Sequence, residues 1–168
     1  ELKMNENFEN FANSLPIIGS RVSHLETTTS TMDIAWALAT EGAPDGTVVI
    51  ADHQSAGRGR YDRSWVSKQA EDILCSVLLR PRVALAGELL MLAALAVANV
   101  AEDLGVDVGI KWPNDVQIEG KKLAGVIAES KTGPELTVGD GAIGSGSSEA
   151  SVDRITAVIG IGMNINFD

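Results

Sequence analysis

The run VQIEGKKLAGVIAE (residues 116–129) constrains this chain more than any other. Two short apolar stretches, 116–118 and 122–129, meet at Glu119-Gly120 and read as a β-hairpin. Strand-like runs at 47–51, 73–79, 108–112, 136–138 and 155–159 can extend the same sheet. Two segments read clearly as helices. STMDIAWALATE (30–41) offers Ser30 or Thr31 as N-cap, Asp33 in the favourable first turn and Gly42 as a stop. The Leu- and Ala-rich segment 88–104 ends at Gly105. Hairpins combined with two helices point to an α+β domain built on a mixed sheet. Residues 139–151 (GDGAIGSGSSEAS) read as a flexible connector within a long hairpin loop, and the first twenty residues as a short helix or an arm.

The 168 residues suffice for one domain with a substantial core. A net charge of −10 argues against nonspecific nucleic-acid binding, which rests on neutralising phosphates. Basic residues are nevertheless concentrated between Arg58 and Arg82. Cys75 is the only cysteine, and His24 and His53 lack metal-ligand spacing, so no protein-held metal is expected. The apolar run 89–100 is too short to span a bilayer, and the chain reads as cytoplasmic, with no membrane partner.

Four short segments can carry chemistry. In AGRGRYDRSW (56–65), Gly57 and Gly59 allow close approach of a ligand, and Arg58, Arg60 and Arg63 are permanent cations suited to carboxylate or phosphate. A dinucleotide fingerprint fails because Asp62 stands at the third glycine position and no helix follows. A solvated Arg-rich surface loop and an RGG-like nucleic-acid segment are the competing readings. KWPND (111–115) places Lys111 and Asp115 near a strand end, and is equally a turn with a surface ion pair. In KKLAGV (121–126), alternation turns one lysine inward and one outward, although a solvated pair is the plainer reading. GIGMNIN (160–166) ends a strand with glycines and Asn164, suiting close ligand approach or a β-bulge.

Taken together and in order, TST (29–31), QSAGRGRYDRSW (54–65), KWPNDV (111–116), KLAGV (122–126) and GIGMN (160–164) resemble the biotin protein ligases, over roughly residues 25–166. The resemblance implies a mixed, mostly antiparallel sheet with helices packed on one face. It also implies activation of biotin by ATP, with Mg²⁺, to biotinyl-5′-AMP, and transfer to a lysine of a biotin carboxyl carrier protein. A homodimer is compatible with it; nucleic acid is not an expected partner. A lipoate–protein ligase relative and a biotin-binding-only module are the alternatives.

The motif match extends to individual residues. Ser30, Thr31, Met32, Gln54, Arg58, Gly59, Arg60 and Lys122 fall on biotin-binding positions, and Lys122, Arg58, Arg60 and Asp115 on catalytic ones. Arg63, Lys111, Asn114 and Asn164 fall on the ATP and adenylate side. Trp65 is expected to anchor the arginine loop in the core. Met32 departs from the family's usual Asn, and Asp62 from its usual glycine. The resemblance divides the chain into an arm (1–24) and a catalytic domain (25–168), without a DNA-binding domain and lacking the family's C-terminal part.

Overall fold

The computed structural model describes residues 18–61, 63–132 and 154–166. Most of the expected arm, the run 136–138, the Gly/Ser connector 139–151 and Asp62 lie outside the described residues.

Nine strands and two α-helices follow one another among the described residues. They are β1 (Arg21–Leu25), α1 (Thr31–Thr40), β2 (Thr47–Ala51), β3 (Gly57–Arg58), β4 (Ser64–Trp65) and β5 (Asp72–Leu79). Then come α2 (Leu89–Asp103), β6 (Gly109–Lys111), β7 (Asp115–Ile118), β8 (Lys121–Lys131) and β9 (Thr156–Asn164). Seven strands form one sheet in the order β1-β2-β5-β9-β8-β7-β6, and β3 with β4 makes a separate small ribbon. All pairings in the large sheet are antiparallel except β1 with β2. β1 was not expected from the sequence, because Arg21, Ser23 and His24 break its apolar pattern.

Both helices stop where the glycines stand. Gly42 (φ +83) lets Ala43 N–H return to Leu38 O at 2.9 Å, and Gly105 (φ +81) lets Val106 N–H return to Ala101 O at 2.9 Å. Ser30 precedes α1 in extended backbone, but its hydroxyl makes no capping hydrogen bond. The hairpin turn has Glu119 at φ 48 and Gly120 at φ 80, the left-handed pair that matches the twist of its strands.

The helices cover opposite faces of the sheet rather than one. Along β9, Val158 packs in the cluster of α1 residues Met32, Ala35, Trp36 and Ala39, whereas Ala157 and Ile159 pack with Ala94, Val97 and Ala98 of α2. Neighbouring strand residues point to opposite faces, so the two clusters lie on opposite sides. Leu78 and Leu79 divide in the same way. Leu78 and Val158 are cross-strand partners and both wholly buried, each contributing about 1.5–3 kcal/mol of apolar burial.

Candidate functional site

The face that carries α1 also carries a pocket, and its floor is set by glycines. Gly125 of β8 and Gly162 of β9 are direct partners in the ladder. A Cβ on Gly162 would stand 2.5 Å from Trp65 Cε2, and one on Gly125 would stand 3.0 Å from Trp65 Cζ3. The indole of β4 therefore lies in a notch that only paired glycines leave open. Trp65 anchors the arginine loop as expected, and the glycines of KLAGV and GIGMN seat an aromatic ring.

Lys122 reaches this face through a β-bulge. Asp115 pairs with Gly125 and Val116 with Ala124, but Gln117 pairs with Lys122, which leaves Leu123 as an extra residue on β8. Plain alternation would put Lys121 on Gly125's face; the extra residue puts Lys122 there instead. Its Nζ lies 2.8 Å from Asp115 Oδ1 and 5.3 Å from the centre of the Trp65 ring. A Cβ on Gly125 would meet Lys122 Cε and Nζ at 2.8 Å, so this glycine makes room for the lysine as well.

At the α1 end the pocket is polar and fixed. Gln54 Oε1 accepts from Thr31 N–H at 2.7 Å and from Thr31 Oγ1 at 3.0 Å, and Thr31 Oγ1 also bonds Ser76 Oγ at 2.8 Å. With its oxygen so engaged, Gln54 has its amide NH₂ left to donate. Ser30 is buried beside it and lines the pocket. Met32 lies against Gly160, where a Cβ would come within 2.8 Å of its sulfur. The thioether is thus an apolar floor element (2% exposed) in place of a polar contact.

The arginine loop forms the remaining wall. Arg58 pairs with Asp33 Oδ1 at 2.9 Å and with Glu129 Oε1 at 3.2 Å. Arg60 donates to Asn114 Oδ1 at 2.8 Å and to Tyr61 Oη at 2.9 Å, and Asn114 Nδ2 donates to Val126 O at 3.0 Å. Among the described residues, Arg60 is thus a pocket cation held by neutral groups. Cys75 contributes to the pocket wall, but alternation turns its side chain to the opposite face with Ile161. Burial pushes its thiol up to about 11.

The structure brings Ser30, Thr31, Met32, Gln54, Arg58, Gly59, Arg60, Asn114 and Lys122 to one cavity, with Asp115 on Lys122. It does not bring Lys111 or Arg63 there. Lys111 is exposed on the edge strand β6, and Arg63 lines an open groove outside the loop. Asn164 borders a separate hollow beside Lys122, donating to Lys122 O at 2.9 Å. Residues that sequence reasoning missed are Ser76, Asp33 as an ion-pair partner, and Glu129. A lone serine inside the apolar run ILCSVLL was the available signal for Ser76. The cavity volume is ≈ 50 Å³, small beside the about 300–1,000 Å³ of small-molecule sites, and the cavity is not sealed from solvent. No helix among the described residues is long and apolar enough to cross a membrane.

Residues 24–146 match the model of the biotin/lipoate A/B protein ligase family. The chain is 36% identical over 168 residues to the bifunctional ligase/repressor BirA of Bacillus subtilis, covering 98% of this chain and 46% of that protein. It is 46% identical over 101 residues to the biotin–[acetyl-CoA-carboxylase] ligase of Mycobacterium tuberculosis, covering 55% of this chain and 38% of the relative. The chain thus spans about half or less of the length of these curated relatives. Among solved structures, the Leishmania major biotin protein ligase in complex with biotinyl-5-AMP superposes with a TM-score of 0.62 at 27% identity, covering 88% of this chain and 58% of that one. The Aquifex aeolicus enzyme in complex with biotin and ATP gives 0.56 at 28%, covering 88% and 53%. The mixed, mostly antiparallel sheet with two helices is common to them.

Proposed function

We propose, from the premise that this chain belongs to the biotin/lipoate A/B protein ligase family, that it binds biotin and joins it to AMP. The full reaction inferred is ATP-dependent formation of biotinyl-5′-AMP, release of pyrophosphate, and transfer of the biotinyl group to a lysine of a biotin carboxyl carrier domain. Biotin rather than lipoate is favoured by the names of the relatives above.

The observation that carries this reading is the division of one pocket into a hydrogen-bonding end and a cationic end. Biotin is a neutral bicycle with a carboxylate tail. Gln54, oriented by Thr31, and Ser30 suit its ureido group, while Met32 and Gly160 suit its apolar body. The tail would then lie toward Lys122 and Arg60.

Joining a carboxylate to the α-phosphate brings two anions together, so catalysis rests on positioning and on cationic stabilisation. Lys122 supplies that charge at the carboxylate. Asp115 fixes its direction, and in this reading it orients the incoming lysine amine. Arg60, without a carboxylate partner among the described residues, faces the phosphate side together with Asn114. Arg63, Lys111 and Asn164 lie outside the cavity, and their role on the nucleotide belongs to contacts made when ATP is bound. Mg²⁺ enters with the phosphates of ATP, which supply its oxygen ligands.

One assay tests the reading: incubation with ATP, Mg²⁺, biotin and a carrier domain, followed by detection of protein-linked biotin and of biotin-dependent ATP–pyrophosphate exchange. Both signals are expected. Biotin binding without exchange would reduce the chain to a binding module, and absence of binding would overturn the reading.

A further inference from the structure

We propose that Asp33 and Glu129 form a latch that holds the arginine loop across the pocket through Arg58, and that Arg58 keeps these partners when a ligand is bound. This rests on the ligase reading for the ligand's identity, but not for the latch itself.

Three observations carry it. Arg58 bridges the first turn of α1 and the outer half of β8, at 2.9 Å and 3.2 Å, with two carboxylates on one guanidinium. Glu129 is itself fixed from the core. Its Oε2 accepts from the indole N–H of Trp36 at 2.9 Å, Trp36 is 8% exposed, and Lys131 stacks on that ring at 4.2 Å. Finally, Arg58 lines the pocket together with Gly59 and Arg60, so the bridge ties down part of the pocket wall.

The electrostatic consequence reverses the simplest reading of the loop. Two carboxylates outnumber the guanidinium, so an arriving carboxylate meets local repulsion at Arg58. The charge available to it lies on Arg60, whose partners among the described residues are the neutral Asn114 and Tyr61, and on Lys122, which faces a single carboxylate. Arg58 then serves as a strut. Asp33 and Glu129 are positioning residues that set how often the loop opens, hence how fast a ligand enters and leaves.

The test is the double variant Asp33→Asn and Glu129→Gln; the Gln keeps an acceptor for Trp36. In the protein without ligand, tryptic cleavage after Arg58 should accelerate about three- to tenfold, the combined worth of two half-exposed ion pairs, while cleavage at Lys68 stays unchanged. Biotin association and dissociation should both accelerate, association at least as much as dissociation, because the variant also removes the two charges that repel a carboxylate. Biotin binding weakened about threefold or more would show that these contacts are made mainly in the bound state and would overturn the proposal. Unchanged cleavage and exchange rates would also overturn it, as would equal acceleration at Lys68, which signals general unfolding. Failure of the unmodified chain to bind biotin would sink the ligase reading while the ligand-free cleavage result still decided the latch.

Discussion

Lys122 Nζ stands 2.8 Å from Asp115 Oδ1 because one extra residue, Leu123, rotates the lysine onto the pocket face of β8. The pair is half-exposed, so it adds little to stability, about 0–1 kcal/mol. Its value lies in aiming an ammonium where a carboxylate and a phosphate would meet.

Lys122→Ala is therefore expected to lower biotin-dependent ATP–pyrophosphate exchange by at least about a hundredfold while leaving the melting transition nearly unchanged. Normal exchange in that variant would remove Lys122 from the chemistry.

Gly162→Ala should displace Trp65, since its Cβ would sit 2.5 Å from the indole carbon Cε2. A loss of about 1–3 kcal/mol of stability and weaker biotin binding are expected, measured by urea unfolding and titration. Gly109→Ala, which has nothing within 4 Å of the added carbon, serves as the control and should change neither strongly.

Cys75 should behave as an inert thiol. A value of about 11 leaves about one thiolate per thousand molecules at pH 8, against about one in four for an ordinary cysteine. The folded protein's alkylation by iodoacetamide should rise about tenfold per pH unit from pH 8 to 10, followed by mass spectrometry. A plateau near pH 9 would contradict the burial of this group.

Arg80 carries a buried guanidinium whose Nε, Nη1 and Nη2 have no hydrogen-bond partner among the described residues. Burial lowers its pKa, with Asp45 opposing. Arg80→Met should therefore be neutral or stabilising, by about 1 kcal/mol, because it removes a desolvated charge and retains the apolar stem. A loss of stability beyond about 1 kcal/mol in thermal melts would point to a compensating partner.

Local chemistry specifies much of this fold. Gly42 and Gly105 mark both helix ends, Glu119-Gly120 mark the hairpin, and the arginine-rich loop lies between two strands, all as the residues themselves require. Most of the cavity, from Ser30 to Lys122, is legible in short motifs. Lys111 and Arg63 belong to the same motifs and lie apart from it, because motif membership fixes a place in the chain and not a direction in space.

What the sequence determined by itself was therefore the set of elements, their ends and the roster of reactive side chains, since those depend on neighbours a few residues away. Only the tertiary structure decided which of those side chains meet. A single bulge exchanges Lys121 for Lys122 on the pocket face, a register that pairs Gly125 with Gly162 opens the seat for Trp65, and contacts such as Trp36 to Glu129, 93 residues apart, set the charge balance of Arg58. Strand register and long-range ion pairing are properties of the assembled sheet, and side-chain direction reverses with each one-residue slip, so no local pattern specifies them.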